Sequence, residues 1–370
     1  MSTEDRERVN TRLDAALRAR ITHALDNKTK PPGSLGQLER LAFRIAMVQR
    51  TDTPRIDRAR VLLFAADHGV AANGVSAYPA SVTAAMVRTA ASGVAAVSVL
   101  TRAVASAWAD IEIIDVGVNS DVPLLPGVVS ARIATGTRDF LREPAMTAAQ
   151  CSAAMQVGAD AVQRAIDAGA DVIALGEMGI ANTTSAAAVL SALSGISVED
   201  SVGRGTGIDD RTLAHKQSVV SASLALHHVS MTGSDGTPDA FAVLTCVGGF
   251  ELAAMAGAAI AAAAARTVVL VDGFITTAAV LAAAMLDARV LDGIVFAHRS
   301  AERGHAVAIA QFVALGLPDE DAQPLLQLAL RLGEGSGAAL ALPLVRAAAC
   351  MLTEMATFES ANVARATEST

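Results

Sequence analysis

Cysteine is scarce and scattered: Cys151, Cys246 and Cys350 are the only three in 370 residues, with no CxxC pair and no neighbouring histidine pattern. That spacing excludes a disulfide framework and a zinc cluster, and it fits a reducing compartment, the cytoplasm. Positive charge is in short supply as well. Lys and Arg number 29 against 37 Asp and Glu, for a formal charge of −8 and a pI near 5.4. A nucleic-acid partner, which needs clustered cations along its phosphates, is not expected, although a small anion could still be held locally. The N-terminal MSTEDRERVN is charged from its start and has no apolar stretch, so a signal peptide is not expected. The longest uninterrupted apolar run, Leu252–Ala265, stops at Arg266, short of the ~20 residues that span a bilayer. It reads as a buried, Ala-rich helix, and no membrane partner is expected. The histidines lack ligand spacing too: Asp67-His68, His227-His228 and His298 with His305 form no HExxH or comparable motif, so no metal site is expected.

What is present is apolar and alternating. With 52% hydrophobic and 18% charged residues, the chain can bury a large core, as one large domain with a smaller appendage. Short β-branched runs alternate with Ala-rich helical stretches, the pattern of an α/β fold whose parallel sheet is flanked by helices, Rossmann-like. Five runs read as strands with polar ends: RVLLFAADHG to Asp67 and His68, IEIIDVGV to Asp115, DVIALGEMG to Glu177, TVVLVDGF to Asp272, and GIVFAHRS to His298. One acid at a strand end commonly caps the next helix. Several together mark the edge where ligands bind in open α/β sheets, although the roles of Asp67, Asp115 and Asp272 stay open. KPPGSLGQLERL reads as an extended Pro-Pro segment followed by Ser34 and Gln37 as a capping box. The expected divisions are residues 1–55, helical; 56–320, the large α/β domain; and 321–370, helical, the two ends together forming the smaller domain.

Two glycine-rich loops precede helices, VGRGTGIDDRTLAHK and LGEGSGAAL. Their exposed amides suit an anion, but neither is a P-loop or a dinucleotide fingerprint. The second loop, in LRLGEGSGA, carries a lone acid, Glu334. From the residues alone it is either a helix-helix turn, with Gly333 closing one helix and Ser336 capping the next, or a carboxylate presented to a ligand. Asp272, in VVLVDGFITTAAVL, lacks the adjacent acid usual where phosphoribosyl pyrophosphate binds, so a metal-bound pyrophosphate substrate is not expected.

Taken in order, KPPGSLGQLE, ADHGVAANGVSAYPASVT, IDVGV, GEMGIANTTSAAA, VGRGTGIDD, GGFELAAMAGA, VDGFITTAA, HRSAERGH and RLGEGSGAALALP cover nearly the whole chain. Together they resemble the nicotinate-nucleotide-dimethylbenzimidazole phosphoribosyltransferase family. The resemblance implies transfer of phosphoribose from nicotinate mononucleotide to dimethylbenzimidazole or a related base, with inversion at the anomeric carbon, α-ribazole 5'-phosphate and nicotinate as products, and neither metal nor cofactor. It implies Glu334 as general base, and Glu177 lining the base pocket with Met178 and Leu332 as apolar walls. Lys216 is implied beside the phosphate, supplemented by amides of Gly203, Gly205 and Gly207, while Arg331, Gly176, His298 and Ser300 contact nucleotide or carboxylate. Ser76, Tyr78 and Met86 match the base-pocket segment, whereas Ala85 stands where the family usually has glutamine, which points to relaxed base selectivity. The resemblance also implies a cytoplasmic homodimer acting on small molecules. The alternatives are a nucleotide hydrolase, in which Glu334 activates water, and a non-catalytic nucleotide sensor.

Overall fold

A computed structural model describes residues 3–120, 127–205 and 207–364. The five β-branched runs form β1 (Ala59–Ala66), β2 (Ala109–Gly117), β4 (Val172–Met178), β5 (Val268–Val271) and β6 (Ile294–Phe296). A sixth strand, β3 (Val128–Ser130), escapes sequence reading because three partly exposed residues at the sheet edge show no periodicity. Every pairing is parallel, in the order β3-β2-β1-β4-β5-β6. The winding direction reverses between β1 and β4, and ligands in such sheets bind beyond the strand ends at that reversal. Register aligns Phe64 with Glu177 and Ala65 with Asp115 and Met178, bringing the polar strand ends to one edge.

Helices α1 (Thr3–Asp26), α2 (Gln37–Gln49), α3 (Val82–Ala91), α4 (Ala96–Ala105), α5 (Ala148–Asp167) and α6 (Asn182–Ser194) precede the Ala-rich helix Phe250–Ala264. The small residues of that last helix have a packing reason. A Cβ on Gly158 of α5 would overlap the Ala254 carbonyl, and one on Gly257 would overlap the Met155 backbone, so the two helices cross with their backbones in contact. Strands β1, β4 and β5 are buried along almost their whole length, as in a sheet covered on both faces.

The backbone clusters into two units, residues 58–341 and residues 1–57 with 342–370. Three expectations need correction. The boundary anticipated after Glu320 falls after Ala341, because the Glu334 loop lies against β4: a Cβ on Gly176 would come 2.5 Å from the Glu334 carbonyl oxygen. The segment following Asp321 is not helical until Ser336; it is irregular, with bends and positive-φ residues such as Ala329, and Leu326 bridges His298 in parallel. The Ser34–Gln37 capping box is absent, since α2 starts behind Gly36 at φ 52° with no side-chain cap. Glu39 serves that corner instead, accepting the Leu35 amide (2.8 Å) and pairing with the buried Lys30 ammonium (2.8 Å). Two stretches, Val82–Ala105 and Ser336–Glu354, are long and apolar enough to cross a membrane, with 39% and 56% of them buried within the protein.

Candidate active site

Beyond the strand ends, within the larger unit, opens a cavity of about 650 Å³. Glu177, Met178, Asp272, His298, Ser300 and Glu334 reach it from the ends of β4, β5 and β6 and from the Gly333–Gly335 turn, and Tyr78, Val82 and Met86 from α3 and the segment before it.

The turn resolves the ambiguity of the lone acid. Gly333, Glu334 and Gly335 take φ of 83°, 64° and 80°, three successive left-handed residues of which only Glu334 bears the steric cost of a side chain. The glycines are required by crowding as well as by φ. A Cβ on Gly333 would overlap the Glu177 carboxylate, one on Gly337 would overlap the His298 ring, and Gly335 lies against the Gly176 backbone. Glu334 is therefore not a solvated turn residue: it is 2% exposed, on the cavity wall. Its Oε2 accepts the Val97 amide (3.3 Å) at the start of α4, a helix whose own N-cap, Ala95, offers no side chain for the purpose. Burial raises the Glu334 pKa, and the nearby Asp272 charge adds to this, against the amides of Val97 and Ala96. The result is a carboxylate more basic than usual.

Two further buried acids flank it. Glu177 accepts from the Asn182 side-chain amide and from the Glu334 backbone N–H, and burial together with the Asp272 and Glu251 charges pushes its pKa well up. Asp272 takes the Ala338 amide (2.8 Å) at the head of the Ser336–Glu354 helix and faces His298 Nε2 at 3.6 Å; burial raises its pKa, with His298 opposing. In a small annex beside the cavity, Lys216 is almost completely buried, its Nζ donating to Thr183 Oγ1 (2.8 Å) and to the Gly203 carbonyl (3.3 Å). Burial lowers its pKa to about 8, with Glu302 opposing. Arg331 Nη1 donates to the Gly205 carbonyl (3.0 Å), tying the two glycine loops together.

The family model described as phosphoribosyltransferase matches residues 11–363. A nicotinate-nucleotide–dimethylbenzimidazole phosphoribosyltransferase of Cupriavidus taiwanensis is 51% identical over 96% of this chain and 97% of its own length. That of Dechloromonas aromatica is 45% identical, over 95% and 96%. The crystal structure of CobT from Thermus thermophilus superposes with a TM-score of 0.87 at 40% identity, covering 95% of this chain and 100% of that one. The chain belongs to the phosphoribosyltransferase family.

In this phosphoribosyltransferase, ten of the residues expected from sequence line the one cavity: Tyr78, Met86, Glu177, Met178, Gly205, His298, Ser300, Arg331, Leu332 and Glu334. Ser76 and Lys216 line a small annex of about 30 Å³ that shares Asn182, Thr183 and Gly205 with it. Gly176 and Gly203 act from behind the wall, Gly176 as the seat of the Glu334 loop and Gly203 as the carbonyl that Lys216 holds. Gly207, with φ 104°, turns the chain ahead of the Asp210–Met231 helix and lines neither space, while its neighbour Thr206 lies outside the described residues. Ala85 is corrected: it is exposed on α3 and off the cavity wall, whereas Val82 and Met86, one turn apart, are on it. Asp67 and Asp115 are also accounted for away from the cavity. Asp67 accepts the Asn119 amide (2.7 Å), and Asp115 takes a two-pronged contact from Arg132 (3.2 and 2.8 Å).

Sequence reasoning missed Val82, Asn182, Thr183, Phe274, Thr276 and Glu302, all on the wall. Asn182 and Thr183 were findable, since they open α6 a short turn after the strand-end acid Glu177, as Phe274 opens a helix just past Asp272.

Proposed function

We propose that this phosphoribosyltransferase transfers the phosphoribosyl group of nicotinate mononucleotide to dimethylbenzimidazole or a related base, yielding α-ribazole 5'-phosphate and nicotinate with inversion at the anomeric carbon. The observation that carries the reading is Glu334: a buried carboxylate of raised basicity on the wall of a cavity that Met86, Met178 and Leu332 also line, with the buried Lys216 in an adjoining annex. Lys216 and the amides of the Gly203–Gly207 loop hold the phosphate. The base lies between the apolar walls formed by Met86, Met178 and Leu332, with Tyr78 and Ser76 at its edge and Glu177 beside it. Arg331, His298 and Ser300 face the nucleotide, and Gly176 seats the catalytic loop.

One ring nitrogen of the base attacks the anomeric carbon as the bond to the pyridinium nitrogen breaks, its electron pair staying with nicotinate. That leaving group needs no protonation. The attack makes the N–H on the second ring nitrogen acidic, and Glu334 takes that proton, a step suited to a carboxylate whose pKa is raised toward the working pH. No pyrophosphate is handled, so the chemistry as written calls for no metal and no cofactor. The enzyme works as a cytoplasmic homodimer on small molecules, without nucleic-acid or membrane partners, in keeping with its net charge of −8.

The test is to mix the purified protein with nicotinate mononucleotide and dimethylbenzimidazole, without added metal, and to look for α-ribazole 5'-phosphate by mass spectrometry. Formation of that product is the expected result. Release of nicotinate with no base present would point to a hydrolase, and nucleotide binding without turnover to a sensor; either would displace the reading.

A further inference from the structure

Glu302 belongs to none of the roles assigned so far, yet it lines the cavity. A Cβ on Gly203 would overlap Glu302 Oε2, so the carboxylate rests directly on the Gly203 backbone, and only glycine leaves room for it. The carbonyl of that same Gly203 is held by Lys216 Nζ (3.3 Å), whose other partner is Thr183 Oγ1 (2.8 Å). Glu302 is held in place by its own backbone, since its N–H donates to Ser300 Oγ (3.2 Å).

The other charged groups at this corner are engaged elsewhere. Arg204 is committed to Asp210 and to the Ile208 carbonyl, Arg303 to Asp200 (3.5 Å), and Arg331 to the Gly205 carbonyl; from α6 the neutral Thr183 hydroxyl faces the ammonium. Glu177, Asp272, His298 and Glu334 sit elsewhere on the cavity wall. The Glu302 carboxylate and the Lys216 ammonium thus close on the same residue, Gly203, the acid against its Cα and the ammonium on its carbonyl, close enough for the acid's charge to oppose the effect of burial on the lysine.

A carboxylate at an anion site is a conflict unless it has a function when the site is empty. We propose that Glu302 is a built-in counter-charge: in the free enzyme it faces the buried Lys216 ammonium across Gly203, with no direct ion pair between them, and it opposes the substrate phosphate once that phosphate binds there. The inference rests on the reading of Lys216 and the Gly203–Gly207 loop as the phosphate site. Glu302 then limits affinity at neutral pH, preventing nucleotide or product from being held too tightly, and in exchange extends binding to higher pH. The sign follows from charge alone. Without the carboxylate, a phosphate meets less repulsion at every pH, but Lys216 loses its proton at a lower pH, so the gain in affinity is offset as pH rises.

Nicotinate mononucleotide binding, measured by calorimetry at pH 6.5 and pH 8.5 on wild type, Glu302→Gln, Glu302→Ala and Lys216→Ala, tests this. Glu302→Gln should bind roughly fivefold more tightly than wild type at pH 6.5, the size of one unit-charge repulsion across a partly solvated site. That advantage should vanish by pH 8.5, and Glu302→Ala should repeat the pattern if the amide variant folds poorly. A merely structural role would weaken binding at both pH values alike and would overturn the proposal. If Lys216→Ala weakens binding while neither Glu302 variant tightens it at pH 6.5, the counter-charge role fails and the phosphate site stands. If Lys216→Ala leaves binding unchanged, the phosphate-site reading fails and takes the inference with it.

Discussion

Gly176→Ala adds one methyl group in the strand that seats the catalytic loop. The new Cβ would lie 2.5 Å from the Glu334 carbonyl oxygen, 2.8 Å from its carbonyl carbon and 2.9 Å from the Gly335 nitrogen. All three are backbone atoms, so no side chain can rotate away. β4 is hydrogen-bonded to β1 on one side and β5 on the other, with Gly176 in register with Leu63, and the loop is therefore what gives. Restoring ordinary contact at about 3.5 Å requires it to withdraw by about 1 Å. A misplacement of that size at a reacting group costs on the order of 10²-fold in turnover, while overpacking of this kind costs about 1–3 kcal/mol of stability. The assay pairs kcat for product formation with a thermal melt and nucleotide affinity. A kcat reduced ~10²-fold in a folded protein that still binds nucleotide is expected. A kcat within threefold of wild type would show that contact with β4 does not set the position of Glu334.

Turnover should fall as pH drops, with its midpoint above the ordinary carboxylate range of about 4.3, because Glu334 acts deprotonated and burial raises its pKa; a kcat profile flat down to that range would contradict this. Gly158→Ala, which drives a methyl group into the Ala254 carbonyl at the crossing of α5 with the Phe250–Ala264 helix, should cost about 1–3 kcal/mol in denaturant unfolding and leave KM values alone. A neutral effect would mean that the crossing is loose. Ala85→Gln should leave the ratios of kcat/KM across a panel of benzimidazoles unchanged, since Ala85 is exposed off the wall, whereas Met86→Ala should shift them. The opposite outcome would place residue 85 in the base pocket.

Much of the fold was legible because β-branched runs ending in acids have few uses other than parallel strands, and the reversal between β1 and β4 gathers those ends. What stayed hidden depends on long-range contacts. Nothing local distinguishes Ser34 from Glu39 as the partner of the α2 entrance, since the choice is made by Lys30 folding back on Glu39. The stretch before Ser336, expected to be helical, is instead drawn into irregular structure by its bridge to His298, a partner remote in sequence. Ala85 lies beside a true wall residue, Met86, and a one-residue step on a helix moves a side chain by about 100°. Glu302 was passed over because, by sequence, it is one more charge in a charged turn; its setting comes from Gly203 and Lys216, remote in the chain.

The central claim is that Glu334 takes the proton released from the attacking base. Glu334→Gln keeps the size of the side chain and an oxygen for the Val97 amide while removing the basicity. Single-turnover formation of α-ribazole 5'-phosphate at saturating substrates isolates the chemical step, and it should slow by ~10²–10⁴ with nucleotide affinity unchanged. A rate within a few-fold of wild type would mean that the proton leaves by another route and that Glu334 is not the base.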